Sequence, residues 1–124
     1  MSTDRVKTYT RVVSTEDGGS AFEDAVLQLD EQPGMYVGAL GTQGAAFVRF
    51  AAADSFSEAH PAAWAQWVIV LRGAIEVRVS DGTSRQFRPG DLLLATDITG
   101  RGHITLTVGD EPVEALGIPS APAG

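Results

Sequence analysis

The sequence has no cysteine, which excludes disulfide bonds and thiolate metal sites. Basic residues are scarce as well: the 9 Lys and Arg residues stand against 16 Asp and Glu residues, and the formal net charge is -7. A nucleic-acid-binding protein needs a basic surface that displaces counterions, so this composition argues against a nucleic-acid partner. An acidic excess of this size instead favours solubility.

Long apolar runs are missing too. No stretch approaches the ~18 consecutive apolar residues that a membrane-spanning helix needs, so we predict no membrane segment. The first ten residues, MSTDRVKTYT, contain no apolar segment that could serve as a secretory signal, and we expect a cytoplasmic protein. A chain of 124 residues is the usual size of one domain. We therefore predict a single domain over 1–124, with 1–6 and 120–124 frayed.

Turn signals recur along the chain and separate short apolar or alternating runs, a pattern typical of an all-β sandwich or barrel. No segment shows a convincing apolar period of 3.6 residues. The predicted strands cover roughly 7–13, 22–29, 35–40, 45–53, 64–71, 74–80, 84–88, 92–97, 103–108 and 113–118.

Two tight turns are predicted in the centre of the chain. Asp81-Gly82 suits a two-residue type I′ hairpin turn, in which both positions have positive φ. Pro89-Gly90 suits a second turn, because proline presets φ at one position and glycine tolerates positive φ at the next. Successive hairpins of this kind favour closure into a small barrel.

Side chains alternate along a strand, and this assigns residues to faces. In the strand over 64–71, Trp64, Gln66 and Val68 share one face, and Trp67 lies on the opposite face, as a packing residue or part of a dimer surface. In the strand over 103–108, a row of polar side chains shares one face, either towards solvent or towards a polar cavity. These are His103, Thr105 and Thr107.

Two motifs resemble the small single-domain cupins over roughly residues 45 to 118. The first is HPAxxxQ, in which His60 matches the first motif histidine, and Gly73 matches the closing glycine. Ala62 stands at the position of the second histidine, and Gln66 at that of the glutamate. The second motif, PGDxLLxxDxTGxGH, runs from Pro89 to His103 and matches the turn and the histidine of the family pattern. Thr107 occupies the family's asparagine position.

This resemblance implies a double-stranded β-helix barrel of jelly-roll type, with a pocket at one mouth and commonly a homodimeric assembly. Cupin metal sites usually contain three histidines and one glutamate. Here the resemblance leaves His60 and His103, with the neutral amide oxygen of Gln66, as ligands for Fe, Mn or Zn. Without the second imidazole and the anionic ligand, affinity for a divalent cation falls. We therefore expect no metal and no other cofactor.

The residues then favour a metal-independent acid–base enzyme acting on a small organic ligand, such as an isomerase or a cyclase in natural-product tailoring. We expect His103, Asp97 and His60 to supply acid and base, since Asp97 would lie near the barrel mouth, where an apolar setting could make it a usable acid. A mostly apolar lining with a few polar groups is typical of small-molecule sites. The candidate substrate-binding residues are Gln66, Trp64, Val68, Phe47, Arg49, Thr105 and Thr107.

Other interpretations remain open. Asp97 could be a turn or cap carboxylate, His60 a surface histidine, and Arg49 an exposed arginine. At the level of function, the alternatives are a metal-dependent cupin oxygenase or isomerase, and a cupin that binds a small ligand without catalysis.

Overall fold

A computed structural model of the chain describes residues 5–50 and 64–120. These residues contain eleven strands and no α-helix, which confirms the all-β class. In chain order the strands are β1 (Val6–Ser14), β2 (Ser20–Gln28), β3 (Asp30–Gln32), β4 (Met35–Val37), β5 (Ala46–Arg49), β6 (Gln66–Arg72), β7 (Ala74–Arg78), β8 (Ser84–Phe87), β9 (Leu93–Ala95), β10 (Ile104–Val108) and β11 (Glu114–Pro119). None of the described segments is a helix long and apolar enough to cross a membrane.

The strands form two main sheets and one separate hairpin. The large sheet has six strands in the order β2-β1-β9-β6-β11-β5, and the small sheet has three in the order β10-β7-β8. Neighbouring strands are antiparallel except for β1 and β9, which run parallel. Strands β3 and β4 pair only with each other, and all their residues are exposed.

The hydrophobic core lies between the two sheets. Each sheet contributes the side chains of one face, as expected from the alternation of side chains along a strand. The large sheet provides Val12, Val70 and Leu93, and the small sheet provides Ile75, Val77 and Phe87. The described residues therefore form a layered, sandwich-like or barrel-like β fold.

The two central turns differ in how well they match expectation. Neither Asp81 nor any other described non-glycine residue has a positive φ, so the predicted type I′ turn is wrong. Instead the amide of Val79 donates to the carbonyl of Thr83, and a three-residue loop ends on Gly82 at φ +94°. The Asp81 carboxylate accepts from the Thr83 amide at 2.9 Å, which stabilises a loop with one left-handed glycine instead of two left-handed residues.

The Pro89-Gly90 turn is confirmed. The Asp91 amide donates to the Arg88 carbonyl at 3.0 Å, and Gly90 has φ +103°, as the third residue of such a turn requires. The Asp91 carboxylate also accepts from the Arg88 amide at 2.8 Å, which closes the turn from both sides.

The outward face of β6 is covered locally. Trp67 lies on the face opposite the core and is nevertheless only 4% exposed. Its ring packs against Tyr9 at a centroid distance of 4.9 Å, and its Nε1 donates to the Leu40 carbonyl at 3.2 Å. Trp67 is therefore a packing residue within the chain.

Candidate functional site

Asp97 lies just beyond the end of β9, on the buried side of that strand. Leu93 and Ala95 point into the protein, and Asp97 continues the same alternation by two residues. Its side chain is 0% exposed. A carboxyl group at this depth needs a polar partner, because burial without one is costly.

That partner is His103, which directly precedes β10. Its Nδ1 lies 2.5 Å from Asp97 Oδ2, and the histidine is 9% exposed. Loop residues 98–102 close back on themselves to bring the two side chains together. The second carboxylate oxygen, Asp97 Oδ1, is buried and has no hydrogen-bond partner among the residues that the structure describes.

The pairing fixes what each group can do. An ionised carboxylate can only accept hydrogen bonds, so with Asp97 in that form the contact requires a proton on Nδ1 of His103. The lone pair of a neutral imidazole in that tautomer is on Nε2. The contact with Asp97 fixes the orientation of the His103 ring. Asp97 itself is fully buried and does not face solvent.

The threonine row next to His103 faces the interior side of the small sheet. Thr105 pairs with Val77 and Thr107 with Ile75, and directly paired residues point to the same side. Both partners are buried core residues. Alternation alone allowed this face of β10 to point to solvent or to the interior. The pairing of β10 with β7 shows that Thr105 and Thr107 point to the interior.

The loop that joins Asp97 to His103 is anchored on the first hairpin, β1–β2. At its start, the Thr96 amide donates to the Val12 carbonyl at 2.8 Å. Near its middle, the Ser14 hydroxyl donates to the Thr99 carbonyl at 3.1 Å. Further along, the Arg101 amide donates to the Gly18 carbonyl at 2.8 Å.

The turn between β1 and β2 is itself held by a carboxylate. Asp17 accepts hydrogen bonds from the Thr15 hydroxyl and from the Gly19 amide. These bonds favour the charged form and lower the pKa of Asp17 below its ordinary value of 3.8, with the Thr15 hydroxyl as the main cause. Charge-assisted hydrogen bonds thus stabilise the turn whose Gly18 carbonyl accepts a hydrogen bond from the Arg101 amide.

A buried serine, Ser20, which the sequence interpretation missed, anchors the end of the same loop and is bonded in turn to the exposed Ser80. Ser20 is 1% exposed, and its Oγ donates to the Gly102 carbonyl at 2.6 Å. The Ser80 amide donates to Ser20 Oγ at 3.1 Å, and the Ser20 amide donates to Ser80 Oγ at 2.7 Å. No sequence signal links two serines that are 60 residues apart.

Gln66 and Val68, both candidate substrate-binding residues, lie on the strand beside β9. Gln66 begins β6 and pairs with Ala95, two residues before Asp97. Its Oε1 packs against Gly117, where a Cβ atom would approach to 3.1 Å. Val68 packs against the hydrophobic core. Trp64 is 56% exposed, so most of its ring faces away from the packed interior.

Phe47 and Arg49 lie at the edge of the large sheet, where their side chains contact each other. They lie on β5, an edge strand that β6 and β11 separate from β9. Phe47 is 57% exposed, and the Arg49 guanidinium lies 5.7 Å from the centroid of its ring. Arg49 also forms an ion pair with Glu114 at 2.8 Å. These contacts occupy the Arg49 side chain at the sheet edge.

His60, the remaining predicted site residue, lies outside the described residues. Within 5–50 and 64–120, no group of three or more His, Cys, Asp or Glu side chains is arranged to hold a metal ion. The ligand set that the motif resemblance implies includes His60 and is therefore not described by this structure.

A separate cleft of about 480 Å³ opens between β1 and β8. Its charged side chains already have partners. Lys7 donates to the Gly90 carbonyl at 2.7 Å, and Arg85 donates to Asp24 at 2.7 Å. The charged side chains of this cleft are therefore already paired within the protein.

No protein-family model matches the chain, and no curated protein is similar enough in sequence to count as a match. The site's chemistry is therefore argued from its own geometry.

Proposed function

We propose that this protein is an acid–base enzyme that processes a small organic molecule, with His103 as the group that moves protons. The observation that carries the proposal is the buried contact of 2.5 Å between His103 Nδ1 and Asp97 Oδ2. A carboxylate on Nδ1 holds the ring in one tautomer and one orientation, with Nε2 turned to the reacting group. This arrangement suits a histidine that acts as a general base.

In this proposal Asp97 is a positioning residue and His103 the catalytic residue. Thr105 and Thr107, on the interior side of β10, are suited to orient substrate oxygens by hydrogen bonds. Gln66, beside β9, would supply an amide for the same purpose. His60 would be the second acid or base, and Trp64 and Val68 the apolar surface.

The chemistry that fits these groups is an isomerisation, a dehydration or a ring closure. In the ring closure of a hydroxy-ketone, the hydroxyl oxygen of the substrate bonds to its carbonyl carbon, and the base takes the proton from that hydroxyl. An acid delivers a proton to the carbonyl oxygen, so the product is an isomer of the substrate. General acid–base assistance of this kind contributes about 10²–10⁴ in rate.

The proposal extends to the fold and the assembly. We propose that the two sheets belong to a closed cupin-type double-stranded β-helix and that the protein is a cytoplasmic homodimer. The strand order, the core between the sheets and the motif that ends at His103 support the barrel. The dimer follows from the resemblance alone, and light scattering on the purified protein tests it.

The test of function is a panel of small hydroxy-ketones and enolisable ketones in D₂O, followed by proton NMR for ring closure or loss of C–H signals. The wild-type protein should convert at least one compound, and His103→Gln should lower that rate by about 10²-fold or more. An unchanged rate in His103→Gln would overturn the proposal. So would retention of a bound compound that emerges unchanged after long incubation, since that behaviour belongs to a binding protein.

A metal-dependent oxygenase or isomerase is the second candidate, and the same contact favours it. Histidines that bind metals through Nε2 usually donate their other ring N–H to a carboxylate. The ligands would then be His103, His60 and Gln66, holding Fe, Mn or Zn. Elemental analysis of protein purified without chelator should find about one metal per chain if this is correct. Activity that survives chelator treatment would contradict it.

A further inference from the structure

We propose that Ser20 is a positioning residue for His103, which it controls through the peptide unit between Gly102 and His103. A role of Ser20 in catalysis rests on the proposed function. The hydrogen bond and its test, in contrast, depend only on the position of the His103 ring. Ser20 lies at the start of β2, 82 residues before the glycine whose carbonyl it binds.

The hydrogen bond acts directly on the backbone of His103. The carbonyl of Gly102 and the amide nitrogen of His103 belong to one planar peptide unit. When Ser20 Oγ holds that carbonyl at 2.6 Å, it also fixes the plane from which the His103 Cα and side chain extend. The direction of the imidazole towards Asp97 therefore depends on this bond.

The loop needs an external anchor at this point. Gly100 and Gly102 both adopt left-handed conformations, at φ +79° and +72°. Glycine has the widest conformational freedom of all residues, so a loop with two of them does not hold a side chain in place by itself. The only hydroxyl hydrogen of Ser20 is committed to Gly102, the residue directly before the histidine.

The backbone amide of Ser80 holds the Ser20 hydroxyl in the orientation that this bond requires. This amide donates to Ser20 Oγ at 3.1 Å, and Ser80 Oγ accepts from the Ser20 amide at 2.7 Å. Ser80 makes no contact with Gly102 among the hydrogen bonds of the described residues. The two serines thus share one hydrogen-bond cluster, but only Ser20 contacts the loop.

This difference provides the matched variants for a test. Ser20→Ala removes the bond to Gly102, whereas Ser80→Ala removes only the bonds between the Ser80 hydroxyl and the Ser20 backbone and keeps the amide bond to Ser20 Oγ. The readout is the exchange rate of the His103 Nδ1 proton with solvent and the ring ¹⁵N shifts of labelled protein, with His103→Gln used to assign the signals. We expect exchange to be about tenfold faster in Ser20→Ala and close to wild type in Ser80→Ala.

If the two alanine variants, both folded by circular dichroism, change the His103 signals equally or not at all, the positioning role is overturned. Should Ser20→Ala fail to fold, Ser20→Cys replaces it, because a thiol has a similar shape and is only a weak donor. A folded Ser20→Cys with wild-type exchange and ¹⁵N shifts overturns the role as well. Altered His103 signals together with undiminished activity of His103→Gln would instead overturn the proposed function and leave the positioning role intact.

Discussion

His103 Nδ1 and Asp97 Oδ2 lie 2.5 Å apart, in side chains that are six residues apart in sequence and both buried. The pairing changes the role that Asp97 would have as a separate acid. In the function that we propose, this fully buried carboxylate orients the histidine, and Nε2 exchanges protons with the ligand. The two side chains would then act as one unit.

The first prediction concerns Asp97 itself. Asp97→Ala leaves His103 Nδ1 without its acceptor and opens a buried space, so we expect a loss of about 1–3 kcal/mol in the free energy of unfolding. Asp97→Asn keeps the shape but offers both a donor and an acceptor, so the ring can adopt either tautomer. Urea denaturation measures the first effect, and ring ¹⁵N shifts measure the second. A single unchanged tautomer in Asp97→Asn would contradict this account.

The second prediction concerns the close approach of the loop to the first hairpin. A Cβ atom on Gly100 would lie 2.5 Å from the Gly18 carbonyl oxygen, and Gly100 has φ +79°. Gly100→Ala therefore combines a steric clash with backbone strain, of which the strain alone costs about 1–3 kcal/mol. Gly82→Ala is the control, because Gly82 has φ +94° but no atom within 4 Å of its Cβ position.

Thermal or urea unfolding of the two glycine variants separates the cost of the steric clash from the cost of the backbone strain. Gly82→Ala should show the strain alone, and Gly100→Ala a larger loss together with a shift of the His103 signals. An equal decrease in the free energy of unfolding of the two variants would show that the loop moves to relieve the clash and that its contact with Gly18 does not stabilise the fold.

Much of the strand layout could be predicted from turn signals. Glycines with positive φ stand at turns such as Gly34, Gly82 and Gly90, and the runs between turns became strands. The fully exposed strand β3 was missed, because its residues Asp30–Gln32 carry no apolar alternation. The type I′ assignment at Asp81-Gly82 was wrong, because a side-chain bond to Thr83 stabilises a different loop with only one positive φ.

The site could be predicted only in part. Alternation placed His103, Thr105 and Thr107 on one face, but which face is interior depends on the pairing with β7. That Asp97 contacts His103 depends on how the loop folds back, which no period in the sequence encodes. The bond from Ser20 to Gly102 joins residues 82 positions apart, so it follows from tertiary structure alone.

The third prediction compares the two tryptophans. Trp67 is buried against Tyr9 and donates a hydrogen bond to Leu40, whereas Trp64 is mostly exposed. Trp67→Phe should cost about 1–3 kcal/mol, because the Leu40 carbonyl loses a partner and packing is reduced, and Trp64→Phe should cost almost nothing. The single-tryptophan proteins that result should differ in fluorescence, with bluer emission from Trp67. Similar emission maxima and similar stabilities would contradict the burial of Trp67.

The last prediction concerns the pH dependence of the Asp81 loop. Hydrogen bonds from the Thr83 hydroxyl at 2.6 Å and from its amide at 2.9 Å lower the pKa of Asp81 below its ordinary value of 3.8. A carboxyl whose pKa is lower in the folded state stabilises the fold above its unfolded pKa, and this contribution is lost as the pH falls through the folded pKa. Asp81→Asn keeps an oxygen acceptor but has no charge to lose. The stability advantage of wild type over Asp81→Asn should therefore be constant at neutral pH and shrink below about pH 4.

Urea unfolding of both proteins between neutral and acidic pH checks this, and NMR titration of the Asp81 carboxyl gives its pKa directly. Thr83→Val serves as the control, because it removes the hydroxyl bond, the main cause of the lowered pKa, and keeps the amide bond. Its Asp81 pKa should lie between those of wild type and an unperturbed aspartate. An Asp81 pKa that is the same in wild type and Thr83→Val would mean that the hydroxyl bond does not form in solution.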